Sequence, residues 1–590
     1  MIWPPSDPDA VDLAGSVIRR LGEAPWRDRP RFGADGLLLL SLSKYQGSRE
    51  ITPIDTGGGL AGGAVFGRLF ERTCVGGRSS LVRCITPSAA QALVSGGSDV
   101  LMSRYWGRYI AFIRAGSGWS VTADPTSSVP CFHATRGGLT MVFSHLEACD
   151  FLDRSRFTVN YGFLSRLLAY DRIQTGETGL NEVRELAGGE TLTVTAQGCS
   201  AARSWDPFRI AREHITPGLP EAAGLLYHAT RDVVAAWQAS SDETLISLSG
   251  GLDSAIVLSC LCDAGRGADI TAVHHYLGDA DLPETGFARE AARLAGCAFH
   301  LVGINPGHRL PDPDGHPLSA RPFRQYLGSG IASQLGNHPE RPGAAIFTGQ
   351  GGDHLFLKTQ SPLGFSDYVR HHGPGPGLLR ELVHASRLSG QSALSVLHTH
   401  FTGRNPYSGS PSADPHRLQR NENSLDPSPH AKKVARGKLE QVRRLPHLFQ
   451  LREPLIRSDF VDIVHPLISQ PLVELCLRLP VYVLAAGGIS RGLARLAFKG
   501  RIPDAVRLRM TKGSASGHFS DLLAANAAML ESVLSRGALV SSGLLSDGDF
   551  RPLLARNSHR VSGQAGRLLV FYTVEAWLRR WSRELSAAPR

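Results

Sequence analysis

The chain has 590 residues, 42% of them hydrophobic and 20% charged, which is too long for one core and ordinary for a soluble protein of two or more domains. Its formal net charge is +10, carried almost wholly by Arg with only seven Lys, and spread along the chain rather than clustered with aromatics, which argues against a nucleic-acid surface. There is no apolar run of about eighteen residues and no basic-then-apolar start, and the nine cysteines are scattered, so a membrane span, a signal peptide, a zinc site and a disulfide framework are excluded and a cytoplasmic setting is expected.

Residues 1–207 read as a β-rich domain. The stretch 106–125 gives two short apolar strands around a Gly-Ser-Gly turn, and 139–144 and 191–198 are further strands. A helical patch at 160–173 sits between them. Trp205-Asp206-Pro207-Phe208 looks like a boundary. A helix follows at 222–240, with Leu226, Val233 and Trp237 on one face.

From here to the end, 220–590 reads as a second domain. Strands are expected at 244–248, 270–277, 299–304 and 344–349, and a helix at 283–296, begun by Pro and ended by Gly. Strands alternating with helices imply a parallel, doubly wound sheet whose ligands lie at the carboxyl ends of its strands. Beyond residue 365 the chain reads as mostly helical. Residues 403–430 are polar and rich in Pro, Ser and Asn, the composition of a mobile loop.

The chemistry concentrates in two glycine-rich turns. The first is "SLSGGLDSA" (247–255). A strand, Ser-Gly-Gly and a helix aim backbone N–H groups and a helix N-terminus at one point, which favours phosphate. Gly250 and Gly251 allow close approach, and Ser249 and Ser254 add hydroxyl donors. Asp253 would repel phosphate unless Mg²⁺ lay between them, the ion that prefers carboxylate plus phosphate oxygens. No Walker A sequence is present. The second turn, "TGQGGDHLF" (348–356), follows the fourth strand and carries Gln350, Gly351, Gly352 and Asp353. In a doubly wound sheet it faces the same crevice as Asp253.

Two further matches are decoys. Residues 57–62 fit G-x-G-x-x-G, but no strand–helix unit surrounds them, and they read as a hairpin or loop. Residues 488–492 fit G-x-S-x-G and read as a helix start rather than a nucleophile elbow.

Both glycine-rich turns resemble the pyrophosphatase-loop synthetase domain of class B asparagine synthetases and their relatives, the β-lactam synthetases and lasso-peptide macrolactam synthetases. The resemblance covers nearly the whole chain: 106–113, 123–134 and 142–152 are similar to the amino-terminal glutaminase-type (Ntn-type) sandwich, and 465–498 and 506–513 to the helical carboxyl-terminal part. It implies an ATP-dependent, AMP-forming amide ligase. Ser249, Gly251 and Ser254 would bind phosphate, Asp253 and Asp353 Mg²⁺, and Leu248, Val273 and His274 would border the adenine. Lys512 matches the family's late lysine, placed to balance charge on the adenylate and the tetrahedral intermediate. Arg491 and Arg495, one helical turn apart, are candidates for phosphate or a peptide carboxylate, and Glu284 for a substrate contact.

Two departures narrow the reading. Asparagine synthetases carry a nucleophilic cysteine after the initiator Met; here it is Ile2, so glutamine is not expected to supply the amine. Gln350 stands where relatives have Glu or Tyr, and it cannot act as an ionised base. A peptide α-amine, with a reference pKa of about 7.7–8.0, needs little such help. The expectation is therefore intramolecular ring closure on a precursor peptide, as in lasso-peptide biosynthesis, with a leader peptidase and a leader-recognition protein as partners. Ring closure of a β-lactam precursor and an ammonia-dependent asparagine synthetase are the alternatives.

Overall fold

The computed structural model describes residues 1–22, 31–41, 51–59, 61–72, 79–149, 151–170, 175–276, 282–303, 309–323, 344–403, 428–450, 462–510, 516–554 and 564–587. The first part is a sandwich of two antiparallel sheets. The larger contains Ile51–Asp55 (β3), Ala61–Glu71 (β4), Ser80–Leu81 (β5), Tyr105–Ala115 (β6), Gly118–Ala123 (β7), Glu190–Thr195 (β11) and Gly198–Arg203 (β12), in the order β12-β11-β7-β6-β4-β3 with β5 beside β4. In β6, Ile110 and Phe112 face the smaller sheet, while Tyr109, Ala111 and Ile113 pack under the helix Pro87–Arg104. That is the period of a strand covered on both faces.

The smaller sheet has two pieces, Arg31–Ala34 (β1) with Leu37–Leu40 (β2), and Arg184–Glu185 (β10) beside Phe132–Arg136 (β8) and Leu139–Phe143 (β9). Ile2 joins them by bridging Leu37 and Thr140, and its side chain is buried. The helix Pro8–Leu21 packs Ala14 and Leu21 with Leu139, Met141 and Phe143. The layers therefore run helix, sheet, sheet, helix. This layering accords with the glutaminase-type sandwich expected from the sequence, and Ile2 sits inside it.

The second part is a five-stranded parallel sheet in the order β15-β14-β13-β16-β17. Its strands are Glu243–Ser247 (β13), Ile270–Tyr276 (β14), Ala298–Gly303 (β15), Ala344–Thr348 (β16) and Asp462–Val464 (β17). The chain starts at β13, builds outward to β14 and β15, then crosses to β16 on the other side. The β13/β16 boundary is thus the switch point, where such sheets open a crevice. Four strands fall where the sequence puts them. The fifth, β17, was not anticipated.

The two parts share their cores. Phe70 and Trp106 of the sandwich stack at 4.5 Å, and Trp237 meets Phe70 edge-on at 4.8 Å. Arg72 reaches both oxygens of Glu474 at 3.0 and 3.1 Å. Trp205 Nε1 donates to the same carboxylate at 2.9 Å, so the expected boundary residue is packed into the joint. Arg68 and Arg108 both hold Asp462, at the start of β17. At the other end the helix Gln564–Ala587 buries Trp577 and Trp581 in one core with Phe132 and Phe143 of the smaller sheet. The expected mobile loop lies, over 404–427, outside the described residues. At its end Ser428 is buried and donates to Asp206 at 2.6 Å.

The decoys fold as ordinary structure. The strands β3 and β4 on either side of the first pair antiparallel, and 488–491 lead into the short helix Gly492–Ala497. No helix among the described residues is long and apolar enough to cross a membrane.

Candidate active site

Ser247 and Thr348 end β13 and β16 in register with each other. Both glycine-rich turns therefore leave the sheet side by side at the switch point. They pack backbone to backbone. A Cβ on Gly349 would lie 2.4 Å from Ser254 N, and one on Gly352 would lie 2.4 Å from Asp253 Cγ. Gly250 has φ +74°, and a Cβ there would meet the Glu284 carbonyl at 2.4 Å. These positions exclude any side chain. The first turn is braced internally: Ser254 Oγ lies 3.1 Å from Ser249 Oγ, accepts from Ser249 N at 3.2 Å and donates to the Gly251 carbonyl at 3.2 Å. The helix Leu252–Leu261 follows, its N-terminus at the crevice.

This packing brings Asp253 and Asp353 together. Arg491 stands between them, with Nη1 at 3.0 Å from Asp253 Oδ2 and 2.8 Å from Asp353 Oδ1. Lys358 Nζ approaches the other oxygen of Asp353 at 3.5 Å. Asp253 and Arg491 are buried, while the Asp353 side chain is 31% exposed. One nitrogen reaching both carboxylates places their oxygens within a single cation's span. Among the described residues no group of three or more His, Cys, Asp or Glu is placed to hold a metal. A cation at this pair would take its remaining ligands from phosphate and water, which is the habit of Mg²⁺ and not of a resident structural metal. The residues therefore fit Mg²⁺ brought by a nucleotide.

The remaining expected residues divide. Leu248, Val273 and His274 are buried beside the first turn. Leu248 N donates to the Val273 carbonyl at 2.9 Å. His274 Nδ1 lies 2.6 Å from the Leu248 carbonyl and Nε2 lies 3.1 Å from Thr285 Oγ1. Both ring nitrogens are engaged within the protein, so His274 fixes the turn and offers a nucleotide only its surroundings. Glu284 pairs with Arg509 through both oxygens, and the Arg509 guanidinium lies over the Phe287 ring at 4.3 Å.

Arg491 and Arg495 do not share a helix face. Arg491 precedes the helix in the left-handed region, φ +58°. Arg495 is buried and turns inward, donating to the carbonyls of Ser490 (3.1 Å), Arg507 and Arg509 (2.9 Å). Burial, with Arg491 nearby, brings its pKa down to about 10. It organises the segment 507–509 rather than facing phosphate. Lys512 lies outside the described residues. Gln350 is half-buried, and its N–H donates to Thr348 Oγ1 at 3.2 Å; that hydroxyl is 2.6 Å from His465 Nδ1.

Sequence reasoning missed a second pocket behind the acid pair. Its cavity volume is about 20 Å³, room for about one water, in a cleft open to solvent. Leu357, Phe365, Ala385, Leu388 and Val481 supply apolar walls. Within it Glu381 Oε2 lies 3.3 Å from His384 Nδ1. Burial pushes the Glu381 carboxyl up, against the opposing pull of His384. The pocket adjoins the acid pair through the chain itself: Leu357 and Gly488 line it, and Arg491 N donates to the Leu357 carbonyl at 3.2 Å.

A parallel sheet with two glycine-rich turns and a carboxylate pair at its switch point fits a nucleotide-dependent synthetase. The asparagine synthase family model matches residues 225–579, and the chain belongs to that family. It is an ATP-dependent amide-forming ligase. No curated protein matches the chain. Among solved structures, the "structure of the allosteric regulatory enzyme of purine biosynthesis" is similar at 13% identity, covering 58% of this chain and 76% of that chain, with a TM-score of 0.17. At that score the likeness carries no argument.

Proposed function

We propose that the chain is a macrolactam synthetase: it adenylates an Asp or Glu side chain of a precursor peptide and closes a ring with that peptide's N-terminal amine, as in lasso-peptide biosynthesis. A carboxylate oxygen of the peptide attacks the α-phosphorus of ATP, the bond to the bridging oxygen breaks, and pyrophosphate leaves. The peptide amine then attacks the acyl carbon, and AMP leaves with the former carboxylate oxygen. Mg²⁺, held by Asp253 and Asp353, would neutralise charge on the phosphates. Ser249, Gly250, Gly251 and Ser254 would cradle the departing pyrophosphate. Leu248 and Val273 would border the adenine, and Lys512 would balance charge on the adenylate.

The observation that carries this reading is the pocket holding Glu381 and His384 behind the acid pair. An amine must shed a proton as the amide forms, and Gln350 cannot take it. A carboxylate raised by burial, hydrogen-bonded to an imidazole, can.

The test is incubation of the purified chain with leader-free peptide, MgATP and the partner leader peptidase. The expected product is lighter than the linear peptide by one water, with one AMP formed per ring. Linear peptide alone, without AMP, counts against the proposal. Glu381→Gln should slow ring closure on the order of 100-fold, as removal of a general base does, while leaving pyrophosphate release intact. Lys512→Ala should lose ring closure; full activity would remove Lys512 from the mechanism.

A further inference from the structure

We infer that Arg491 is a built-in counter-ion of the Asp253–Asp353 pair that competes with the divalent metal, so that metal binds tightly only together with the nucleotide. The inference rests on the reading of these two carboxylates as metal ligands.

Three features of Arg491 point to it. A single guanidinium nitrogen contacts both carboxylates, at 3.0 and 2.8 Å, on the side where a bridging cation would sit. A buried carboxylate and a partly exposed one this close repel each other, and a resident positive charge keeps both ionised. The backbone is also held for the purpose. Arg491 is one of three non-glycine residues with positive φ among the described residues, a conformation that costs a side-chain-bearing residue free energy and persists where surrounding structure enforces it. Here the enforcement is visible, since Arg491 N donates to the Leu357 carbonyl and Arg491 O accepts from Arg495 N at 3.1 Å. Finally, Nε of Arg491 is buried and makes no hydrogen bond within the protein. The guanidinium is thus committed to the acid pair through one edge only, and it can pivot on a fixed Cα.

The consequence is a coupling between ligands. A bare divalent ion must displace Arg491 and gains little in exchange. An ion that arrives on a triphosphate brings negative oxygens, which give the displaced guanidinium a new partner. Arg491 would then pass from the carboxylates to the phosphates, and the metal would take its place. Binding of one ligand without the other is penalised in both directions, as linkage requires.

Mn²⁺ binding followed by electron paramagnetic resonance tests this without any turnover. The wild-type chain should bind Mn²⁺ weakly alone and at least tenfold more tightly with α,β-methylene-ATP. Arg491→Gln should bind Mn²⁺ alone at least tenfold more tightly than wild type, and Asp253→Asn added to it should abolish the gain. Arg491→Lys, which keeps the charge, should stay near the wild-type affinity and also checks that the fold tolerates substitution there. Equal Mn²⁺ affinity in wild type and Arg491→Gln, with nucleotide-dependent binding retained in both, would overturn the inference and leave the metal-ligand reading standing. No Mn²⁺ binding in any variant, with or without the nucleotide analogue, would overturn both.

Discussion

Replacing Asp253 or Asp353 with Asn preserves volume and removes the charge on which the proposed metal site depends. Each change should cut MgATP-dependent pyrophosphate release on the order of 100-fold or more, since even residues that only support metal ligands cost 10–100-fold; a coupled pyrophosphate assay reads this directly. Gly352→Ala probes the same point sterically. Its Cβ would fall 2.4 Å from Asp253 Cγ, so the two turns must part. A cost of about 1–3 kcal/mol is expected for such overpacking, together with loss of pyrophosphate release, to be measured by urea unfolding and the same assay. The two aspartates were legible in the sequence because each sits in a glycine-rich turn after an apolar strand. Arg491 was only half legible. Spacing put it on a helix with Arg495, and nothing in the residue order reveals that it lies one step before that helix in the left-handed region. Glu381 and His384 were invisible for a similar reason. An acid and a histidine three apart on an amphipathic helix read as a solvated face, and it is the packing of 437–444 and 481–488 around them that makes a pocket.

At the scale of elements, the strands β13, β14, β15 and β16 are readable because a parallel sheet buries both faces and writes itself as apolar runs. Strand β17 has three residues, follows β16 only after a long helical excursion, and is fixed from outside by Arg68 and Arg108. No local pattern could announce it. It nevertheless positions the second turn, because His465 directly after it reaches Thr348. The turn after β13 has its own brace in His274, which ties the Leu248 carbonyl to Thr285 on the helix Leu282–Ala295. His274→Leu removes that link and leaves buried polar groups unmatched. It should cost about 1–3 kcal/mol and raise the KM for ATP several-fold with little change in kcat. Steady-state kinetics alongside urea midpoints separate this positioning role from general instability.

For the whole molecule, docking of the sandwich onto the synthetase sheet rests on ion pairs that pH can break. Burial alone would raise the carboxyls of Asp462 and Glu474, but Arg108 and Arg68 in one case and Arg72 in the other outweigh it and hold both below the usual range. A depressed folded-state pKa contributes stability that is fully present above the unfolded value, about 3.9 for Asp and 4.3 for Glu. That stability is lost as pH falls through the folded values. The urea midpoint should therefore be nearly level at neutral pH and drop steeply below about pH 4. Arg72→Met should lower stability at pH 7 by about 1–3 kcal/mol, since Glu474 keeps Arg478 at 3.6 Å, and should flatten the acid slope. The two-part organisation was readable from the change of hydrophobic period. The fusion of the parts was not, because Trp106, Trp205 and Trp237 become one cluster with Glu474 only in three dimensions.

The proposed reaction is defined by where ATP is cut. Supplying the chain with ATP labelled at the α-phosphate, together with Mg²⁺ and the leader-free peptide, should send the label into AMP, with Asp253→Asn and Asp353→Asn each abolishing that product. Label recovered as ADP, or AMP formed undiminished by either substitution, would contradict it.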